Sequence, residues 1–87
     1  MISSKQNERV KQARSLLNKK FRDEYSLYIA EGAKTVFEAI KCGAQIETIF
    51  ATEKGLELLK TFTLQLNGFE VLLVSEEVYS SISDEVS

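Results

Sequence analysis

The chain of 87 residues contains no histidine, no proline, no tryptophan and only one cysteine. Without histidine there is no imidazole acid or base near neutral pH, no histidine-based triad and no histidine metal ligand. Cys42 alone cannot form an internal disulfide, nor can it complete a Cys/His zinc site. A single free thiol fits a reducing compartment, and a cytoplasmic location is the expectation. The lack of proline argues against an internal polyproline linker. Glycine is sparse too: Gly32, Gly43, Gly55 and Gly68 stand far apart, and neither G-x-x-x-x-G-K-[ST] nor G-x-G-x-x-G occurs. No apolar run approaches the ~20 residues that span a bilayer, and the opening MISSKQNERV lacks the apolar stretch of a signal peptide. A self-contained small enzyme finds no support, because no acid/base pair and no nucleophile with its base can be named.

What is present is one domain's worth of ordinary globular composition, 44% hydrophobic and 28% charged, expected as a single unit over residues 1–87. A chain of this size buries roughly 60–65% of its unfolded surface, enough for one core but not for a spacious catalytic cleft. Its charge is unevenly spread. Lys5, Arg9, Lys11, Arg14, Lys19, Lys20 and Arg22 face a single acid, Glu8, in the first 22 residues, yet the whole chain nets −2. The remaining residues are therefore strongly acidic. A local basic stretch most naturally meets a polyanion such as nucleic acid, and the acidic remainder would repel phosphate, so contact should lie at the N-terminal element. A solvated basic helix balancing an acidic body accounts for the same counts.

Hydrophobic periodicity alternates along the chain. Val10, Ala13 and Leu17 fall at i, i+3 and i+7 and predict a helix over 6–19, with Ser3 or Ser4 as its cap. Residues 26–31 read as a strand ending at Gly32. A second helix covers 33–42, with Val36, Phe37 and Ile40 inward and Gly43 at its end. Residues 46–51 form the next strand. Thr52 caps a helix over 53–66, with Leu56, Leu59, Phe62 and Leu66 on one stripe. Residues 69–74 are the most apolar strand and so the one expected to be most buried. Ser75 with Glu76 and Glu77 opens a last short helix, with Val78, Tyr79 and Ile82 inward. The order α-β-α-β-α-β-α predicts an α/β fold: a small three-layer α-β-α sandwich around a mostly parallel sheet of three to four strands. The polar end over 83–87 looks like a cut at a linker or a frayed terminus.

Chemistry concentrates at the basic end. Asn7, Lys11, Arg14 and Asn18 share one flank of the first helix, where cations supply charge and amides supply donors and acceptors for phosphate and sugar edges. Lys19, Lys20 and Arg22 follow, expected in a loop; Arg22 offers a planar fork suited to phosphate, or an ion pair with Asp23, Glu24 or Glu31. Tyr25 and Tyr28 come next, and an exposed ring there would stack on an unpaired base, while strand alternation sends one of them inward. Glu31 and Gly32 occupy the strand-to-helix turn, where Gly32 permits positive φ and Glu31 can accept from helix N-terminal amides or orient Arg22. Cys42 is expected to fill a small buried apolar role.

These residues carry a resemblance. Ile2-Ser3-Ser4-x-x-Asn7-x-x-Val10-Lys11 resembles the opening of the substrate-binding domain at the N-terminus of SpoU (TrmH) family RNA 2′-O-ribose methyltransferases. Lys20-x-Arg22-x-x-x-Ser26-x-Tyr28-x-x-Glu31-Gly32 and Val36-x-x-Ala39-Ile40-x-x-Gly43 are similar to that domain's K-x-R-x-x-x-G-x-F-x-x-E-G and V-x-E-A-L-x-x-G blocks. Val74-Ser75-x-x-Val78-x-x-x-Ile82-Ser83-Asp84 resembles the segment before the family's linker. The resemblance implies an α/β domain like that of ribosomal kink-turn RNA-binding proteins. It implies recognition of structured RNA, rRNA or tRNA, with Asn7, Lys11, Arg22, Glu31 and Gly32 toward it. The same resemblance implies a C-terminal knotted domain, absent from this sequence, that binds S-adenosylmethionine, forms the homodimer and carries catalysis; this chain alone would then be inactive, and the proline- and glycine-containing linker would follow it. Ser26 stands where the pattern has Gly, which predicts an ordinary β conformation there, and Tyr28 stands where it has Phe. The alternative is an accessory protein-interaction domain with no RNA contact, its acidic face lying within residues 47–85.

Overall fold

The computed structural model describes residues 1–83. The helical period that starts at Val10 does not run on to Lys19. Helix α1 spans Glu8–Ser15. Asn7, rather than Ser3 or Ser4, caps it: its Oδ1 accepts from the amides of Arg9 at 2.9 Å and Val10 at 3.3 Å. The chain turns through Leu16 and Leu17, and Asn18 caps a separate helix, α2 (Lys19–Tyr25), by accepting from the Lys20 amide at 2.9 Å. Asparagine offers the backbone a local acceptor that competes with helix continuation, and that divides one expected helix into two. Lys19, Lys20 and Arg22 consequently ride on a helix, not on a loop. Leu17, which the period placed inward, is exposed.

Helix α2 closes through Ser26 at φ 55° and ψ 40°, a left-handed residue and not the β conformation expected of it. The N–H groups of Ser26 and Leu27 both turn back to the Arg22 carbonyl, which satisfies that orphan acceptor. This turn sends residues 27–31 along the wall of a cleft instead of into a ladder, so the strand expected over 26–31 is not formed. Helix α3 (Ala33–Lys41) begins at Gly32, whose φ of 98° suits glycine.

The sheet consists of two parallel strands, β1 (Ile49–Ala51) and β2 (Val71–Leu73), with Ile49 opposite Val71, Phe50 opposite Leu72 and Ala51 opposite Leu73. Ile2 adds a one-residue parallel bridge at Val74: its N–H donates to the Leu73 carbonyl at 2.8 Å, and its carbonyl accepts from the Ser75 amide at 2.9 Å. The expected three to four strands thus reduce to two and a bridge, while the α/β class and the parallel pairing hold. Between the strands lies α4 (Glu53–Phe62), capped by Thr52, which accepts from the Gly55 amide at 3.0 Å. After β2 comes α5 (Glu76–Ile82), capped by Ser75, with Glu76 and Glu77 in its first turn where the helix dipole favours acids.

Side chains from successive strand residues point to opposite faces, and β1 uses both. Phe50 packs on a cluster built from Val10 and Ala13 of α1, Val74, and Val78 and Ile82 of α5. Ile49 and Ala51 are buried at the other side, where α4 lies against β1, and α3 packs on α4 through the stacked rings of Phe37 and Phe62, 5.6 Å apart. Two helix pairs therefore sandwich a minimal sheet. The apolar run 69–74 is not the most buried strand: Val71, Leu72 and Leu73 are half-buried and only Val74 is fully enclosed. Cys42, expected inside, follows the last turn of α3 and is exposed. No described helix is long and apolar enough to cross a membrane. Of the polar end read over 83–87, residues 84–87 lie outside the described residues.

Candidate nucleic-acid interface

The seven N-terminal cations divide into two groups once their contacts are traced. Three arginines are engaged within the domain. Arg14, half-buried on α1, donates from Nη2 to the Lys5 carbonyl at 2.8 Å and to Ser81 Oγ at 3.2 Å, and from Nε to the Ser81 carbonyl at 3.4 Å. It thereby ties the N-terminal segment, α1 and α5 together. Arg22 donates to the Leu16 carbonyl at 3.0 Å and braces the turn between α1 and α2. Arg9 grips Glu70 with both guanidinium nitrogens and reaches Thr48 Oγ1 at 2.8 Å; the Thr48 hydroxyl in turn donates to Glu70 at 2.9 Å. The Arg9 bond holds the Glu70 carboxyl below its ordinary value, with Thr48 adding to the effect, and the same bond raises Arg9. This triad is invisible to sequence periodicity because its members lie far apart in the chain. The strand register explains it, since Thr48 and Glu70 immediately precede the paired residues Ile49 and Val71.

The lysines remain outward. Lys5 is exposed, and Lys11 lies 3.9 Å from Glu8, a loose approach with its side chain half in water. Lys19 pairs with Asp23 at 2.7 Å one turn on, and the Lys20 ammonium sits 5.6 Å from the centre of the Phe21 ring. Exposed pairs of this kind are weak and exchange readily for other anions. Asn7 and Asn18 spend their side-chain oxygens on helix caps, which leaves their amide N–H groups as the donors available to a ligand. Their interval along the chain keeps them on the same N-terminal arm as Lys11, Lys19 and Lys20.

Glu31 and Gly32 lie elsewhere, on the wall of a cleft of about 760 Å3. Glu31 accepts a hydrogen bond from Ser83 Oγ, fastening the 27–31 segment to the end of α5, while Gly32 starts α3. The cleft runs between α1, the 25–32 segment and β1, and takes in Glu47 and Glu76 besides Glu31. Three carboxylates face one lining cation, Arg9, which Glu70 already holds, so this cleft attracts a phosphate backbone less than the exposed lysines do. Among the described residues no group of three or more His, Cys, Asp or Glu side chains could hold a metal ion, and no buried side-chain polar atom lacks a partner.

The same chain region matches a known family model, that of the MRM3-like substrate binding domain, over residues 7–87. The chain belongs to this family. It is accordingly a substrate-binding domain of the RNA methyltransferase kind. The match to the MRM3-like domain begins at Asn7, the α1 cap, and takes in both helices of the basic arm. No curated protein and no solved structure matches the chain.

Proposed function

We propose that this MRM3-like domain recognises structured RNA for an S-adenosylmethionine-dependent 2′-O-ribose methyltransferase of the SpoU (TrmH) kind acting on rRNA or tRNA. The observation that carries the reading is the outward set of Lys5, Lys11, Lys19 and Lys20 on and before α1 and α2, against an otherwise acidic domain. Lysines on a helical arm neutralise phosphate without reading sequence, and they fix the register of the RNA. Arg14 and Arg22 serve this arm indirectly, by holding α1 on α5 and α2 on α1, while the Asn7 and Asn18 amides stand beside the lysines as donors to phosphate or sugar. Glu31 and Gly32 shape the neighbouring wall.

The methyl donor would be held by a knotted C-terminal domain, which would also form the homodimer and supply the catalytic groups. The domain positions substrate and performs no chemistry of its own, in a cytoplasmic protein.

The test is a salt series of binding to a structured rRNA hairpin. Lys11→Glu and Lys20→Glu should each weaken binding and lower the slope of log affinity against log salt by roughly 0.7–0.9 per lost phosphate contact. An unchanged slope sinks the reading. A second reading, docking to a protein partner, is favoured by the exposed apolar residues Leu58, Phe62 and Leu64 on and just after α4. Absence of RNA binding near physiological salt would move the function there.

A further inference from the structure

Two tyrosines are out of place for a domain this small. Tyr28 is 77% exposed and Tyr25 is 53% exposed, although both belong to a stretch whose neighbours Leu27 and Ile29 are half-buried. The Tyr25 ring is not loose: it stacks on Phe21, one turn earlier on α2, with ring centres 6.1 Å apart and planes 17° from parallel. Phe21 in turn lies under the Lys20 ammonium. The left-handed Ser26 then reverses the chain and brings Tyr28 out on the same cleft that Tyr25 lines.

This cleft has a chemistry distinct from the basic arm beside it. Its volume falls within the ~300–1,000 Å3 of small-ligand sites. Carboxylates of Glu31, Glu47 and Glu76 and the amides of Gln12 and Gln45 line it among apolar side chains. The one cation on the lining, Arg9, is held by Glu70, so a phosphate entering there would meet chiefly the like charge of these carboxylates. A nucleobase would not: it is neutral, its faces stack on aromatic rings, and its N–H edges donate to carboxylate and amide oxygens. The bases of a duplex hide their faces, whereas an unpaired base offers both.

We propose that the mouth of the cleft at Tyr25 and Tyr28 takes one unpaired nucleobase of the bound RNA, stacked on the tyrosine rings, while Lys19 and Lys20 hold the flanking phosphates. The proposal rests on the RNA-recognition reading and adds to it a requirement for single-stranded character at one nucleotide. Phe21 stiffens the Tyr25 platform, and Ser26 sets the angle between the two tyrosines.

The experiment compares three RNAs sharing one stem: a hairpin with 2-aminopurine in its unpaired loop, the same hairpin with abasic loop positions, and a fully paired duplex. Each is titrated into the 87-residue chain. The wild-type domain should quench the 2-aminopurine and prefer the first RNA. Tyr28→Ala should weaken the hairpin by roughly 5- to 150-fold, the range for losing one base–aromatic stack, without changing the duplex. Tyr28→Phe should retain the preference, since the ring is kept. Tyr28 is mostly in water, so its truncation leaves the fold intact, and Tyr25→Ala gives a second reading of the same platform. Equal affinity for all three RNAs, unmoved by Tyr28→Ala, would overturn the stacking site and leave the phosphate arm standing. Loss of all three on Lys11→Glu with Lys20→Glu, but no selectivity among them, would do the same. No binding of any RNA at low salt would remove both.

Discussion

Arg14 donates to both the carbonyl and the hydroxyl of Ser81, so a cation that the charge pattern offers to RNA is engaged as a clamp between the first and last helices. Its third bond, to the Lys5 carbonyl, fixes the segment leading into α1. Charge reversal at Arg14 would therefore test the fold before it tested RNA. Arg14→Ala should lower unfolding free energy by about 1–3 kcal/mol, the usual range for losing hydrogen bonds from a charged group. Arg14→Lys should restore little, because an ammonium on a flexible stem cannot reproduce the planar fork. Urea denaturation of the three proteins decides the point; equal midpoints would show that the clamp contributes nothing.

Ser26 is the one non-glycine residue at positive φ among those described. A left-handed conformation costs an ordinary L-residue ~1–2 kcal/mol, and glycine escapes most of this while losing some unfolded-state entropy advantage. Ser26→Gly should raise stability by about 0.5–1 kcal/mol, and Ser26→Val should lower it by more than that, since a β-branched side chain crowds this backbone region. Thermal unfolding of both variants checks the pair. A destabilised Ser26→Gly would mean that the serine hydroxyl, not the backbone angle, governs this turn.

Much of the fold could be drawn from the sequence where a polar cap coincided with a change of period. Gly32 and Gly43 bracket α3, Thr52 starts α4, and Ser75 starts α5, all as their residue types dictate. The period failed where a cap interrupted it from within: Val10, Ala13 and Leu17 keep helical spacing, yet Asn18 ends the run by serving the next helix. Residues 26–31 have strand-like composition, but one left-handed residue at their start decides their course, and no spacing rule reports φ. The basic arm was legible as charge. Which cations stay free was not, because Arg9, Arg14 and Arg22 are claimed by Glu70, Ser81 and Leu16, partners identified only by tertiary structure.

The Arg9–Glu70 pair should make stability depend on acid pH. The Glu70 carboxyl is held below its ordinary value by Arg9 first and Thr48 second. A depressed carboxylate contributes stability that is present above its unfolded value of about 4.3 and is lost as pH falls through the folded one. Arg9 is shifted upward, so its contribution persists through the neutral range. Glu70→Gln should therefore unfold at lower temperature than wild type at pH 7, with the gap closing as pH drops below about 4. Both residues are solvent-exposed, so added salt should narrow the gap at pH 7 as well. A gap that stays constant from pH 7 to pH 3 would assign the effect to packing rather than to charge.

Asn18 lets folding and RNA contact be separated at a single position. Its side-chain oxygen caps α2, and its place between α1 and Lys19 sets it beside the exposed lysines. Asn18→Ala removes the cap and should cost ~1 kcal/mol, read as a lower urea midpoint. Asn18→Asp keeps an acceptor of equal capping strength and adds a negative charge that the N-terminus of α2 favours, so stability should hold or rise slightly. That same charge faces any phosphate on the arm, and hairpin affinity at low salt should fall while the fold is unharmed. If Asn18→Asp binds RNA as well as wild type does, the phosphates do not pass this end of α2, and the contact surface must be drawn toward Lys5 and Lys11 instead.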